Sequence, residues 1–256
     1  MATIDLNADV GEECGDDAAL LGLVTSANVA AGGHSGGGEV LTETVTLCAA
    51  GKVAVGAHPS YPDRENFGRL SKKYEYSSAD LTALIREQVL EVAAACEVSG
   101  TRLTHVKAHG ALYHDIAGDS DAANAFITAV LDASRDIGHD VYVTGSPTSQ
   151  LRSAAKARDV YFVAEAFIDR LYNPDGTLAS RSHPDAVHRD PRTALAQAAS
   201  IVLDGRVQAS DGSTIDVHAQ TLCVHGDSPG AIQMAQAVRT HLTDNGISIA
   251  AITLGN

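Results

Sequence analysis

Carboxylates, imidazoles and one lysine recur in this chain at every second position of short β-prone runs. Asp5, Asn7 and Asp9 alternate with Ile4, Leu6 and Ala8, and His105, Lys107 and His109 alternate with Val106 and Ala108. Successive side chains of a strand point to opposite faces, so each polar trio shares a face. Glu165 and Asp169 flank Phe167, His225 and Asp227 stand two apart, His58 closes another run and His34 follows a further one. Grouped imidazoles and carboxylates can ligate a divalent metal or move protons, and an ammonium can neutralise a carboxylate, an oxyanion or a phosphoryl group. A lone strand-end histidine is more often a satisfied structural group. Asp227 precedes Ser-Pro and is equally suited to capping a helix. The case for one polar site therefore rests on the ensemble Asp9, His34, His58, His105, Lys107, His109, Glu165, Asp169, His225 and Asp227.

Such residues need elements that bring them together. The pattern predicts strands at 2–9, 26–31, 52–58, 103–109, 140–145, 160–167 and 220–225. Between them lie helical stretches such as 79–98, where Leu81, Leu84, Ile85, Val89, Val92 and Ala93 recur at three and four. Gly51, Gly100, Gly138, Gly205 and Gly246 follow helical stretches, where a left-handed residue ends a helix without a Cβ clash. Ser146-Pro147 and Asp190-Pro191 place a capping side chain before a proline at the first helical position. Strand and helix alternate throughout without a linker, which predicts one α/β domain over 1–256. Polar residues follow nearly every strand, as at the rim of a (β/α) barrel, whereas an open sheet would gather them at one switch point. A barrel with fewer than eight strands is expected, with a turn-rich insertion at 171–190 and a small hairpin at 206–218.

Eighteen Lys and Arg against 32 Asp and Glu give a net charge of −14. That field disfavours nucleic acid and anionic membrane surfaces as partners. The first 51 residues hold Asp5, Asp9, Glu12, Glu13, Asp16, Asp17, Glu39 and Glu43 but no Lys or Arg, so this end could attract cations. Asp16 and Asp17 read as a solvated or capping pair. No apolar run suits a bilayer span and no signal-peptide plan is visible, so the reading is cytoplasmic. Cys14, Cys48, Cys96 and Cys223 form no C-x-x-C pair and read as reduced, mostly structural thiols.

P-loop, Rossmann, H-E-x-x-H and G-x-S-x-G motifs are all missing. The segment Gly32-Gly33-His34-Ser35-Gly36-Gly37-Gly38 precedes a helix starting near Glu39. Its backbone N–H groups could cradle an anion, or the glycines could merely make a tight turn.

Six blocks in order, DLNADVGE (5–12), TSANVAAGGHSG (25–36), VGAHPSYPDRENFGR (55–69), HVKAHGALY (105–113), EAFIDRLYNPDGTLASRS (165–182) and CVHGDSP (223–229), resemble the LamB/YcsF family, that of the A subunits of bacterial 5-oxoprolinase. The resemblance implies a TIM-barrel-like (β/α)7 barrel of the glycoside hydrolase and deacetylase type. It also implies ATP-dependent opening of 5-oxo-L-proline to L-glutamate with partner subunits B and C. Two departures are visible. The family usually has Cys-Gly-Phe-His-Ala-Gly-Asp-Pro at 31–38 and Lys-Pro-His at 107–109, where this chain has Ala31, Gly33, Ser35, Gly37, Gly38 and Ala108. The loss of the cysteine argues against an essential thiol there, and Gly37 removes a carboxylate that could contact substrate or metal.

The candidate catalytic residues are Asp9, His58, Lys107, His109, Glu165 and Asp169. Asn7, Asn28, Gly32, Gly33, Gly36 and His225 are candidates to bind the ligand or ATP, and Asp9, His34 and His58 to hold a divalent metal. Two other functions remain open: a metal-dependent amidase or deacetylase that needs neither ATP nor partners, and a subunit that only binds ligand.

Overall fold

A computed structural model describes residues 2–181, 183–226 and 230–254. Asp227 and the Ser228-Pro229 pair lie outside them. The chain opens with β1 (Thr3–Val10), α1 (Asp17–Leu21), β2 (Ser26–Ala30), α2 (Gly38–Gly51), β3 (Ala54–His58) and α3 (Ser78–Val98). It continues with β4 (Leu103–Lys107), α4 (Gly110–Gly118), α5 (Ser120–Ile137), β5 (Tyr142–Gly145), α6 (Gln150–Ala157) and β6 (Phe162–Phe167). The last part holds α7 (Pro191–Ala199), β7 (Arg206–Gln208), β8 (Thr214–Asp216), β9 (Thr221–His225), α8 (Ala231–Asp244) and β10 (Ser248–Ile249).

Seven strands, in the order β1-β2-β3-β4-β5-β6-β9, pair in parallel and close when β9 pairs with β1, Asp5 opposite Thr221 and Asp9 opposite His225. Parallel neighbours need a long crossover, which the helices supply. The result is a closed seven-stranded barrel ringed by helices, with the carboxyl ends of its strands at one mouth. Short β10 adds a third parallel partner to β1, and β7 and β8 form an antiparallel hairpin beside the barrel. Isolated bridges Arg170–Val187 and Tyr172–Leu178 fold the 171–190 segment back on itself.

The main apolar core lies between sheet and helices. On β1 the buried outward face is Ile4, Leu6, Ala8 and Val10, and on β2 it includes Ala27 and Val29. Asp5, Asn7 and Asp9 are left facing the barrel interior, also buried. Alternation along each strand thus sorts grease to the helices and polar groups to the inside.

Local signals differ from expectation at three places. Lys52, with φ 56°, is the left-handed residue after α2, in place of Gly51. Ser149 caps α6 by accepting from the Arg152 N–H at 3.3 Å, because the chain first makes a turn at Ser146-Pro147 closed by Ser149 N–H to Ser146 O. β4 stops at Lys107, and His109 becomes the first flanking residue of α4. Asp190 and Pro191 do start α7, and Asp16 caps α1. α2 starts at Gly37 with no side-chain cap, so the carboxylate the family usually carries there falls at a helix cap.

Candidate active site

The barrel interior is built as polar layers. Deepest is Asp5, which accepts from Ser26 Oγ (2.6 Å), Thr25 Oγ1 (2.7 Å) and Thr221 Oγ1 (2.5 Å). Above it Asn7 donates to Glu165 Oε1 (3.1 Å) and Thr221 Oγ1 (2.7 Å), and Asn28 donates to Asn7 Oδ1 and Asp9 Oδ1, both at 2.8 Å. His105 Nε2 meets Asn28 Oδ1 at 2.9 Å. Gly56 lets the imidazole approach, since a Cβ there would lie 2.1 Å from His105 Nε2. Burial lowers the His105 pKa to about 3, so it stays neutral.

Lys107 rises through these layers to the mouth. Its Nζ lies 2.8 Å from Glu165 Oε1, 2.9 Å from Asp9 Oδ1 and 3.1 Å from Cys223 Sγ. Burial opposes the charge of Lys107, but Asp9 and Glu165 outweigh it and raise the pKa well above the ordinary value. Burial likewise opposes ionisation of Asp9, and His58 with Lys107 holds its carboxyl well below the usual range. Burial pushes the Cys223 thiol far up, so it is a protonated neighbour.

At the mouth, His58 and His109 face one another, Nε2 to Nδ1, at 3.1 Å. Their outer nitrogens are both taken by backbone carbonyls, His58 Nδ1 by Lys107 O (2.8 Å) and His109 Nε2 by Phe67 O (2.9 Å). Those bonds place an N–H on the outer side of each ring and leave each inner nitrogen to share a proton with a carboxylate or to ligate a cation. Glu12 Oε1 stands 3.2 Å from His109 Nδ1, and Asp9 Oδ2 3.4 Å from His58 Nε2. Two lone pairs so close repel unless a proton or a cation lies between them. Asp9, Glu12, His58 and His109, whose ligand atoms all fall within 4.8 Å of one another, form a buried group that could hold a divalent metal. Burial opposes ionisation of Glu12, but hydrogen bonds from His109 and His34 keep its carboxyl far below the usual range.

This group shares Asp9 and His58 with the expected set and adds Glu12 and His109. His34 stands behind it, stacked on His109 at 3.5 Å between ring centres, with Nε2 3.0 Å from Glu12 Oε1 and Nδ1 3.0 Å from Ser60 Oγ. Burial lowers its pKa to about 4. Glu12 escapes strand parity because β1 ends at Val10 and Gly11, with φ 70°, turns the chain so that Glu12 comes back over the strand ends.

On the opposite wall, Asp169 accepts from His225 Nδ1 through both oxygens, at 2.9 and 3.0 Å, which orients the imidazole and leaves Nε2 for the cavity. His225 stacks on Phe167, and Tyr113 meets Phe167 edge-on. The cavity has a volume of about 570 Å³. Asp9, His58, Lys107, His109 and His225 line it, together with residues that strand alternation does not single out: Arg69, Tyr113, His114, Arg170 and Arg181. Asn7, Asn28, Glu165 and Asp169 act behind this surface. A signal for the arginines is present in the blocks at 55–69 and 165–182, but strand alternation says nothing about loops.

The glycine segment does not open on the cavity. The Gly32 N–H donates to Ser35 O (2.9 Å) and the Gly36 N–H to Glu13 Oε2 (3.1 Å), so these amides are engaged within the fold. A Cβ at Gly33 would lie 2.5 Å from Ser60 Oγ and 2.7 Å from Gln88 Oε1. The glycines here allow close packing and a tight turn.

Comparison with known proteins follows the same lines. The profile of the LamB/YcsF family matches residues 4–255. A protein of Methylococcus capsulatus named as the A subunit of 5-oxoprolinase is 42% identical over 98% of this chain and 96% of its own length. One of Paracidovorax citrulli with the same name is 45% identical over 96% and 98%. The crystal structure of a lactam utilization protein from Thermus thermophilus superposes with a TM-score of 0.89 at 36% identity, covering 98% of this chain and 100% of that one. The T48 deacetylase, at 10% identity and a TM-score of 0.51 over 97% and 87%, shares the fold alone. On this full-length match the chain belongs to the LamB/YcsF family.

Proposed function

We propose that the chain is the A component of an ATP-dependent 5-oxoprolinase, which opens the lactam of 5-oxo-L-proline to L-glutamate together with subunits B and C in the cytoplasm. The observation that carries the reading is one cavity lined by Asp9, His58, Lys107, His109 and His225, in a chain whose full-length relatives bear that name.

An unstrained lactam resists hydrolysis because amide resonance makes its carbon a poor electrophile. Transfer of the γ-phosphoryl group of ATP to the carbonyl oxygen breaks the bond to ADP and removes that resonance. Water then adds to the carbon, the C–N bond breaks as the ring nitrogen takes a proton and leaves an acyl phosphate, and a second water displaces phosphate, which departs with the former carbonyl oxygen. His225, oriented by Asp169, is placed to accept the proton of the water. Lys107, held by Asp9 and Glu165, neutralises charge on the carbonyl or phosphoryl oxygens. A divalent cation held by Asp9, Glu12, His58 and His109 would supply Lewis acidity there. We assign ATP to the partner subunits, because the Gly32 and Gly36 amides that might have cradled phosphates are bonded within the fold.

The test is glutamate release from 5-oxoproline by purified chain with both partners and ATP. Folded variants Asp9→Ala, His58→Ala, Lys107→Ala and Glu165→Ala should each lose at least about 10²-fold in turnover. Near-normal rates would remove the assignment. The buried donor set also suits a metal-dependent amidase. Release of acid from acylated compounds by the isolated chain with Zn²⁺, Mn²⁺ or Mg²⁺, without ATP, would favour that second reading.

A further inference from the structure

Arg170 is only 3% exposed, yet among the described residues no carboxylate forms an ion pair with it. Its Nε donates to Ala186 O (3.2 Å) and one Nη to Ala179 O (2.7 Å). Its sequence neighbour Asp169 is turned to His225 instead. Buried guanidinium groups are ordinarily paired, because desolvating a charge is costly unless a counter-charge compensates. Arg170 lines the cavity, and so does Arg181. Burial and then the charge of Arg181 bring the Arg170 pKa down to about 10, so the two cations feel each other. His114 on the same wall is lowered by burial, then by Arg170, with Arg181 contributing. In a chain of net charge −14, two guanidinium groups have been gathered at one cavity wall. A ligand that brings an anion to this wall would compensate the buried charge of Arg170.

We propose that Arg170 and Arg181 form a carboxylate subsite that anchors the substrate and selects carboxylated lactams over neutral ones. The identity of the ligand rests on the function proposed above; the presence of an anion site does not. Both arginines sit on the loop after β6, whereas Asp9, His58 and Lys107 sit at the strand ends. In 5-oxoproline the carboxylate and the carbonyl belong to the two carbons flanking the ring nitrogen. Anchoring the carboxylate at the loop therefore presents the carbonyl to the strand ends, with Phe167 and Leu178 available to the ring methylenes. A phosphate group offers the same charge, so the source of the anion is part of the test.

The experiment compares kcat/KM for 5-oxoproline and for 2-pyrrolidinone, which lacks the carboxylate, in the complex with partners and ATP. Arg170→Gln and Arg181→Gln should each lower kcat/KM for 5-oxoproline by about 10- to 100-fold, the span of a charged hydrogen bond, mainly through KM. The loss for 2-pyrrolidinone should be at least about ten times smaller. Equal losses for both substrates, or none for 5-oxoproline, overturn the proposal. Arg170 also ties down two loop carbonyls, so Arg181→Gln, on an exposed residue, is measured beside it, and the urea midpoint of each variant shows whether its fold is kept. Calorimetric titration of the isolated chain with 5-oxoproline and with inorganic phosphate separates the two anions. Affinity for 5-oxoproline that falls in the variants supports the subsite, and a fall for phosphate alone overturns the carboxylate assignment. If the complex turns over no lactam, the functional reading fails while the titration still decides the subsite.

Discussion

Lys107 Nζ lies 2.8 Å from Glu165 Oε1 in the barrel interior, and both side chains are cut off from solvent. Such a pair is weak evidence for stability in itself, since desolvation offsets much of the attraction, but removing one member leaves a stranded charge. Lys107 is shared with Asp9, so the network stores ionised groups at the place where the substrate carbonyl is expected.

Lys107→Met strands two carboxylates and should destabilise the fold by about 3–5 kcal/mol, read from urea unfolding. Glu165→Gln keeps shape and should cost less stability, while lowering turnover by at least about 10²-fold. A Glu165→Gln enzyme as active as the parent would show that the carboxylate only fills space. Glu165 Oε2 and the Tyr113 hydroxyl, both buried and without a hydrogen-bonding partner among the described residues, identify this as the region to probe.

Metal analysis of the purified chain should find about one divalent ion per molecule if the inward lone pairs of His58 and His109 hold one. His58→Ala and His109→Ala should abolish that stoichiometry. His34→Ala, acting through Glu12, should weaken affinity about 10- to 100-fold without abolishing it. Full metal content in His58→Ala would refute this donor set.

Stability of the chelator-treated protein should peak near neutral pH. His34 and His105 have folded pKa values lowered by burial to about 4 and about 3 from 6.5. Below 6.5 the unfolded chain binds protons that the folded chain refuses, so stability falls by about 1.4 kcal/mol per pH unit for each group. His58 works in the opposite sense. Burial opposes its charge, but Asp9 outweighs that and raises its pKa, so its contribution is present below 6.5 and is lost as pH rises through the folded value. Urea midpoints measured at intervals from pH 5 to pH 9 would show the maximum; a midpoint that rises as pH falls from 6.5 to 5 would contradict the neutral imidazoles.

Gly33→Ala should lower the melting temperature by an amount equivalent to about 1–3 kcal/mol, the usual cost of overpacking. Its Cβ meets Ser60 and Gln88, which brace each other through Ser60 N–H to Gln88 Oε1 (3.0 Å) and Gln88 Nε2 to Ser60 O (2.8 Å). Substrate KM should be unchanged. A large KM effect with unchanged stability would restore the glycine segment as a ligand cradle.

Period-two alternation is enough, without coordinates, to place Asp9, Lys107 and Glu165 on interior faces, because a strand leaves a side chain only two directions. The rhythm of strand, helix and glycine is enough for seven parallel strands. It cannot locate Glu12, whose position depends on the left-handed turn at Gly11, nor rank His34 behind His109, which depends on how two loops stack two rings. Arg170 reads in sequence as one more loop cation. That it is buried, and that Asp169 turns to His225 instead of pairing with it, follows only once the sheet closes and the 171–190 segment folds over its mouth. Local chemistry and periodicity are written residue by residue, whereas burial and partnership are properties of contacts between residues as far apart in the chain as Asp9 and His225, and only the closed barrel creates them.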